Sequence, residues 1–229
     1  MAQLFQLKHL SWHRRTPRFR LFIALACVVA VAILVSGFVW WPRSPTDLDH
    51  AGRNTTAEWL NAWQAGEVVA LVRHTERCDR SSNTCLGPAD GITEVGSTAA
   101  QVVGQGFVKL GMQQAIVLSS PLTRTAQTAH YMFGHDASSE DWLATCGPTL
   151  RDEIVARKVA QQNLVLVTHS GCISDFEKQT GFPHAIAAEY GSTLLVRINH
   201  QKQLTVLGII NTPFWKTLNV TPEHLNNSH

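Results

Sequence analysis

A guanidinium and an imidazole stand side by side in this sequence, directly after an apolar run. Residues 68–72 carry no charge, are rich in β-branched side chains and have the length of a strand buried on both faces. Arg73 and His74 follow at once. At the carboxyl edge of an open α/β sheet, such side chains face the crevice in which ligands bind. Arg73 offers a planar fork of donors suited to phosphate or carboxylate, and a neutral His74 offers a nucleophilic nitrogen.

Two further apolar runs end in the same way. The run at 115–118 leads to Arg124, on the first turn of a predicted helix, and the run at 163–168 leads to His169. One polar strand end is common by chance, and His169 alone is typical of a core histidine bound to a carbonyl. Three such ends at one edge of a parallel sheet indicate instead an anion site made of two arginines and two histidines.

The elements that must position these residues alternate between strand and helix. Helical patterns are predicted over 55–63, capped by Thr55 or Thr56, over 93–110 and 150–162, and onward from Pro121 and from Gly171. Further strands are predicted over 142–145, 193–198 and 204–209, the last two as an antiparallel pair. This order predicts an α/β fold, a three-layer sandwich with a mostly parallel central sheet.

The amino-terminal part reads as a membrane anchor. Residues 21–41 are uncharged and long enough to span a bilayer. The basic residues before them predict a cytoplasmic amino terminus. A cleaved signal peptide is the alternative, but its apolar region is usually shorter and is followed by a small-residue cleavage site. We predict a cytoplasmic basic segment (1–20), one transmembrane helix (21–41), a polar linker (42–54) and one domain (55–229).

Composition excludes some classes of function. The 229 residues are 45% hydrophobic and 16% charged, as in a folded protein. Five of the 19 basic residues and none of the 17 acidic ones lie within residues 1–42, so the remainder carries a net charge of about −3. A slightly acidic domain without a basic stripe does not bind nucleic acid by the usual electrostatic route.

Three ordered motifs carry a resemblance to a known family: LVRHT at 71–75, SSPLTRTAQT at 119–128 and VTHSG at 167–171. Together they resemble the histidine phosphatase superfamily, also called phosphoglycerate-mutase-like, over about residues 66–210. Within it, the stretch RHTERCDRSSNTCL at 73–86, with GIT at 91–93, closely resembles the lipopolysaccharide core heptose(II)-phosphate phosphatases.

The resemblance implies phosphate chemistry that uses no metal or other cofactor. His74 would be the nucleophile and would form a phosphohistidine that water hydrolyses. Arg73, Arg124 and His169 would hold the phosphoryl oxygens and offset the charge that develops on them. Arg77 would contact the phosphate or a neighbouring sugar phosphate, or else be a surface charge. The cysteines and histidines also lack the spacing of a zinc site.

The proton donor to the leaving oxygen is the least determined role. The mutase branch has a Glu in the region after the second motif, which makes Glu153 the first candidate, Asp152 the second and Glu76 the third; a solvated helix face accounts equally well for Glu153. Ser170 stands where the acid phosphatase branch has an acid, and Thr75 where the mutases have Gly. Both departures favour a hydrolase outside those two branches.

Four cysteines lie outside the apolar segment: Cys78, Cys85, Cys146 and Cys172. An even number in an oxidising compartment predicts two disulfides, for which three pairings exist. We favour Cys78 with Cys85, which flank a short loop; Cys146 with Cys172 would then tie a strand end to the loop beside His169. Four reduced thiols are the alternative, and they would require a cytosolic domain.

These features predict a membrane-anchored periplasmic phosphomonoesterase of a bacterial inner membrane, with lipopolysaccharide core heptose phosphate as its substrate. Its expected partners are a phosphorylated sugar and the membrane that residues 21–41 enter. One alternative keeps the fold and changes the substrate to another phosphosugar, a nucleotide or a phosphoprotein. A second is an anchored protein that binds phosphate without turnover. Export after signal cleavage is the alternative localisation.

Overall fold

The computed structural model describes residues 17–40 and 44–218, without the side chains of residues 39 and 40. The chain divides into two compact units, Met1–Pro42 and Arg43–His229. Most of the predicted cytoplasmic segment, with Lys8, Arg14 and Arg15, lies outside the described residues, as does the predicted end of the anchor at Trp41.

The first unit contains helix α1 (Pro17–Trp40). Its segment Pro17–Phe38 has 22 residues, is long and apolar enough to cross a membrane, and is not buried inside the protein. A helix of this length spans about 33 Å, which matches the hydrocarbon core of a bilayer. A signal sequence near the amino terminus satisfies the same criteria of length and composition.

Six strands of the second unit form one mixed sheet in the order β3-β2-β4-β1-β5-β6. They are β1 (Val68–Arg73), β2 (Ala115–Ser119), β3 (Ser138–Ser139), β4 (Asn163–Thr168), β5 (Thr193–Ile198) and β6 (Leu204–Ile210). The first four in spatial order run parallel, whereas β5 and β6 are antiparallel to their neighbours. The predicted late antiparallel pair is therefore confirmed.

Helices cover both faces of this sheet. One face carries α2 (Arg53–Gln64), α3 (Glu94–Leu110), α4 (Thr123–Phe133) and α8 (Thr212–Thr217); the other carries α5 (Trp142–Thr145), α6 (Leu150–Arg157) and α7 (Ser170–Gln179). Side chains alternate along a strand, so Val68, Ala70 and Val72 enter one core and Val69 and Leu71 the other. The unbroken apolar run of β1 follows from this burial on both faces, and the three-layer α/β fold is confirmed.

Two predicted elements are wrong in type or length. Residues 142–145 form the short helix α5, not a strand, and β2 pairs instead with the two-residue strand β3. Helix α6 ends at Arg157 rather than at 162, because Lys158 is extended and its buried ammonium donates to the carbonyl oxygen of Gly66 (2.7 Å).

Part of the predicted linker 42–54 packs against the domain. The amide of Ile209 in β6 donates to the carbonyl oxygen of Thr46 (2.8 Å), and Leu48 is only 1% exposed. Gly208 has φ +150°, and a Cβ there would lie 2.4 Å from the Thr46 oxygen. Residues 46–50 thus cover the open edge of the sheet at β6. Helix α2 then begins with Gly52 as its N-cap, so neither Thr55 nor Thr56 caps it.

Candidate active site

His74 lies one residue past the end of β1 and is 3% exposed. Its amide donates to the carbonyl oxygen of Thr168 in β4 (2.9 Å), which fixes the chain between the two strands. The ring Nδ1 lies 2.8 Å from the carbonyl oxygen of Thr75. Because a carbonyl oxygen can only accept, Nδ1 carries the proton, and Nε2 keeps its lone pair for attack on a ligand.

The surroundings of His74 keep its imidazole neutral. Burial lowers its pKa to about 3, the bond to Thr75 opposes this, and the charges of His169, Arg124 and Arg73 lower it further. At pH 7 the ring therefore has a free nitrogen lone pair. A nucleophilic histidine requires this state.

Arg73 is held by a loop that follows α7. Its backbone N–H donates to Ser192 (2.9 Å) and its guanidinium donates to the carbonyl oxygen of Ala188. The Tyr190 ring centroid lies 3.9 Å from the guanidinium carbon and 5.7 Å from the centroid of the His74 ring. This stacking fixes the direction of the remaining guanidinium donors.

His169 lies at the end of β4, as the N-cap of α7. Its ring centroid is 5.4 Å from that of His74, so the structure brings the two histidines together. Its Nε2 lies 2.9 Å from the Ser120 hydroxyl oxygen. Burial, followed by the charges of Arg124, Arg77 and Arg73, lowers the pKa of His169 to about 4.

Arg124 lies on the first turn of α4, where it was predicted, and burial lowers the pKa of its guanidinium, as does the charge of Arg77. Three buried nitrogens of this cluster, Nε of Arg73, Nε of Arg124 and Nδ1 of His169, have no hydrogen-bond partner among the described residues. Unsatisfied buried donors are costly in a folded protein. Their convergence beside His74 suits a group with several anionic oxygens, such as a phosphate.

Arg77 lies at the border of this cluster. Its Nε donates to Oδ1 of Asp79 (2.8 Å) and its Nη2 to the second carboxylate oxygen, and the pair raises the pKa of the guanidinium. The charge of Arg77 still reaches Arg124 and His169. The pairing with Asp79 leaves it less free for a ligand than Arg73 or Arg124.

Comparison with known proteins identifies the family of this chain. No family profile matches the chain. The lipopolysaccharide core heptose(II)-phosphate phosphatase of Salmonella arizonae is 33% identical over 153 residues, which are 66% of this chain and 73% of that protein. The chain belongs to this family of histidine phosphatases. It is accordingly a phosphoric monoester hydrolase.

Other relatives match a shorter segment of this histidine phosphatase. The proteins of the same name from Salmonella typhi and Salmonella typhimurium are 35% identical over 114 residues, which are 48% of this chain and 56% of each relative.

Solved structures show the same fold. The protein histidine phosphatase SixA in complex with tungstate has a TM-score of 0.50, with 15% identity over 64% of this chain and 97% of that one. Phosphoserine phosphatase from Entamoeba histolytica in complex with 3-phosphoglyceric acid also has a TM-score of 0.50, with 15% identity over 65% of this chain and 98% of that one.

Glu153, the first candidate for the proton donor in this histidine phosphatase, is not brought to the cluster. It lies on α6 and pairs with Arg157, one turn further along the exposed side of the helix. Lys158, which follows α6, binds Gly66 before the start of β1, whereas His74 lies after its end. The first turn of α6, which carries Glu153, is also remote from His169: the Arg151 amide donates to the side-chain oxygen of Gln179, the last residue of α7 (2.9 Å), whereas His169 caps the start of that helix. Helix α6 therefore lies toward the opposite edge of the sheet. Asp152 is an exposed residue of the same helix.

Glu76 lies close to His74 in the chain but is engaged elsewhere. Its carboxylate accepts hydrogen bonds from Thr93 (2.6 Å) and Asn83 (2.9 Å), which lower the pKa of this group. A carboxyl group that is held ionised by two donors is a poor proton donor. Its contacts instead fix the loop that follows His74.

Glu140 is a carboxylate that the sequence prediction missed. It follows β3, and its amide donates to the carbonyl oxygen of Ser119 at the end of β2 (2.8 Å). The Trp142 indole donates to its carboxylate (3.0 Å). Glu140 thus lies at the edge of the sheet that carries His169. A two-residue strand is too short to be recognised by periodicity, so the sequence predicts a strand at 142–145 instead and does not single out this carboxylate.

Tyr190 was also missed, although one signal was available. It is one of only two tyrosines in the chain, and it precedes Gly191, which has φ +74°. That glycine donates to the carbonyl oxygen of Arg73 (3.2 Å), so the positive φ lets the loop fold back on the strand end. A Tyr-Gly pair ahead of the strand at 193–198 was therefore a visible mark of a tight turn.

Both favoured disulfides are present: Cys78 pairs with Cys85 and Cys146 with Cys172, each with 5.3 Å between the Cα atoms. The second attaches the segment after Glu140 to the first turn of α7, beside His169. In the part of the chain that the structure describes, no cluster of His, Cys, Asp and Glu is placed to hold a metal ion.

Proposed function

We propose that this histidine phosphatase removes a phosphate from the heptose of the lipopolysaccharide core through a phosphohistidine at His74. The observation that carries the catalytic part is the pair of imidazoles of His74 and His169, whose centroids are 5.4 Å apart, beside the unsatisfied donors of Arg73 and Arg124. The relatives named for heptose(II)-phosphate support the choice of sugar.

In the first step, Arg73, Arg124 and His169 bind the non-bridging oxygens of the phosphoryl group. Nε2 of His74 attacks phosphorus, a nitrogen–phosphorus bond forms, and the bond from phosphorus to the sugar oxygen breaks. The electron pair of that bond stays on the sugar oxygen, which takes up a proton. We assign the proton to the carboxyl group of Glu140, because it lies at the same sheet edge and Glu153 does not.

In the second step, water attacks the phosphohistidine. Its oxygen forms a bond to phosphorus while the bond to Nε2 breaks, and its proton returns to the Glu140 carboxylate. Phosphate leaves, the electron pair of the broken nitrogen–phosphorus bond returns to Nε2 of His74, and the proton on Nδ1 stays hydrogen-bonded to the carbonyl oxygen of Thr75. The two guanidiniums offset the charge on the phosphoryl oxygens in both steps.

The proposed location is the periplasmic face of a bacterial inner membrane, with residues 21–41 as a retained anchor. Two disulfides are typical of an oxidising compartment. A tethered enzyme also meets a membrane-bound substrate at a high effective concentration. Amino-terminal sequencing of the mature protein tests this part: a start after residue 41 would show cleavage of the segment instead.

The decisive experiment traps the phosphoenzyme. The full chain in detergent is mixed with a phosphate monoester and quenched in base, which preserves phosphohistidine, and the modified residue is mapped by mass spectrometry. We expect phosphate on His74 and none in His74→Ala, which should also lose hydrolysis of an aryl phosphate. Phosphate on another residue, or full turnover by His74→Ala, contradicts the mechanism.

The substrate has its own test. In a strain that lacks the gene, mass spectrometry of the lipopolysaccharide core should show additional phosphate on heptose, and this change should be reversed by the wild-type gene but not by His74→Ala. An unchanged phosphate content, with intact aryl phosphatase activity of the purified protein, would retain the enzyme and reject heptose phosphate as its substrate.

A further inference from the structure

The loop that follows His74 holds a second group of positive charges. Residues 76–93, here called the disulfide loop, are closed by the Cys78–Cys85 bond. The amide of Cys78 donates to the carbonyl oxygen of Gly91 (3.0 Å), and the amide of Thr93 donates to that of Glu76 (3.1 Å). These bonds cross the base of the loop, so its shape is fixed before any ligand binds.

The disulfide loop is also fixed relative to the phosphate cluster. The Thr123 hydroxyl, next to Arg124 in the chain, donates to the Asp90 carboxylate (2.7 Å). The amide of Ile92 donates to the side-chain oxygen of Gln127 on α4 (2.8 Å). The loop therefore rests on the first turns of the helix that presents Arg124. The backbone of the loop is therefore held at a constant position relative to Arg124.

Arg80 is an arginine of this loop that forms no ion pair among the described residues. It ends the short 3-10 turn Cys78–Arg80 and is exposed. Among the described residues it has neither a carboxylate within ion-pair distance nor a side-chain hydrogen bond, because Asp79 is bound at both oxygens by Arg77. Burial is the main cause that lowers the pKa of Arg73 and of Arg124, and the charge of Arg80 adds to it at both, as expected of a cation on a turn that follows His74 by four residues and belongs to a loop bonded to α4.

We propose that Arg80 forms a second anion subsite, which binds a further negatively charged group of the molecule whose phosphate lies at His74. A phosphate dianion is already matched by the two guanidiniums of Arg73 and Arg124. Arg80 is a third cation on the rigid turn next to them; it acts on Asp79 at long range but has no ion pair among the described residues, and it therefore favours a substrate with an additional phosphate or carboxylate. The inference rests on the proposed function, in that the scissile phosphate must bind at His74.

The test compares three inhibitors of aryl phosphate hydrolysis by the full chain in detergent: fructose 6-phosphate, fructose 1,6-bisphosphate and 6-phosphogluconate. The first carries one anionic group, the second adds a phosphate and the third adds a carboxylate. We expect the wild type to bind one or both of the doubly charged compounds about fivefold more tightly than fructose 6-phosphate, with a preference that weakens as salt is added. Tighter binding of the bisphosphate indicates a phosphate subsite, and tighter binding of 6-phosphogluconate indicates a carboxylate subsite.

In Arg80→Gln the ratio of the affinity for the doubly charged compound to that for fructose 6-phosphate should fall to about one. In Arg80→Lys most of this ratio should remain. The matched control is Arg151→Gln, an exposed arginine of α6, which should keep the wild-type preference. Equal preferences in the wild type and Arg80→Gln, or no preference in the wild type, overturn the proposal. If aryl phosphate is not hydrolysed at all, the proposed function fails, and the three affinities measured by titration calorimetry still decide the role of Arg80.

Discussion

The central sheet has one edge at which β1 begins and an opposite edge at which β1 ends, and both carry buried charged or titratable groups. The hydrogen bonds of these groups are satisfied differently at the two edges. At the edge where β1 begins, Lys158 is 3% exposed and donates to the carbonyl oxygens of Gly66 and Val159, each at 2.7 Å. At the edge where β1 ends, donors of Arg73, Arg124 and His169 have no partner among the described residues.

This difference separates a structural use of charge from a functional one. A buried cation that is bonded to backbone carbonyls holds its surroundings together, and its removal leaves those carbonyls unsatisfied. Buried donors that converge without partners lower stability, and they persist where a ligand supplies the missing acceptors. We therefore infer that the edge where β1 begins serves stability and that the edge where β1 ends serves binding.

The largest expected effect is that of His74→Asn. It removes the proposed nucleophile and keeps a donor for the Thr75 carbonyl, so turnover should fall by at least about a thousandfold. Because His74 contributes to the binding edge, the free energy of unfolding should change by less than about 1 kcal/mol. Steady-state kinetics and urea unfolding followed by tryptophan fluorescence measure the two quantities. A loss of activity that tracks a loss of folded protein would contradict the assignment.

Glu140→Gln is expected to have the next largest effect. It tests Glu140 against Glu153 as the proton donor. With a sugar phosphate as substrate, whose leaving oxygen needs a proton, kcat should fall by about a hundredfold. With an aryl phosphate, whose leaving group needs little protonation, the loss should be much smaller. Glu153→Gln is the matched control and should leave both rates within about twofold, because that side chain pairs with Arg157 at the surface. Equal losses on both substrates would exclude proton donation by Glu140.

The sequence was sufficient to predict those parts of the site that belong to long elements. Arg73, His74, Arg124 and His169 each end a buried strand or begin the helix after it, and topology then requires them to meet. Periodicity over five or six residues identified these strands, and the order of the three motifs identified the family.

Residues contributed by short or irregular segments were not predictable in this way. Glu140 follows a strand of two residues, and Tyr190 lies in a loop whose path depends on a glycine with positive φ. The sequence predicts a longer α6 because no neighbouring residue indicates that Lys158 turns inward to bind Gly66. In each case hydrogen bonds between residues far apart in the sequence determine the structure, and local propensity carries no information about such bonds.

Lys158→Ala tests the structural edge. It leaves the carbonyl oxygens of Gly66 and Val159 without their donor, so the free energy of unfolding should fall by about 2–4 kcal/mol. The activity per folded molecule should stay within about twofold, because the change lies at the edge opposite His74. Lys178→Gln, in the last turn of α7 and so at the end of that helix remote from His169, is the control: its ion pair with Asp175 is exposed on both sides (55% and 37%), and its loss should cost under about 1 kcal/mol. A catalytic defect in Lys158→Ala would break the division between the two edges.

The two edges also respond to pH in different ranges, and the stability of the protein should show both responses. The pKa values of His74 and His169, lowered to about 3 and about 4, lie below that of an unfolded histidine. From about pH 6.5 down to pH 4 the unfolded chain therefore binds more protons, and stability falls as pH falls. Burial similarly lowers the pKa of Lys158 to about 8 from 10.5, so stability should rise as pH rises between these values.

The buried carboxyl group of Glu177 has the opposite effect on stability to the two histidines at acid pH. Burial raises the pKa of Glu177 to about 7, so the folded chain binds the extra proton between about pH 4.5 and 7, and this contribution is lost as pH rises. In Glu177→Gln the decline of stability on acidification below pH 6.5 should consequently be steeper than in the wild type. Thermal unfolding across pH 4–10 measures all three contributions. An acid decline that is unchanged when both histidines are replaced by Asn would show that the binding edge is not the source of the pH dependence.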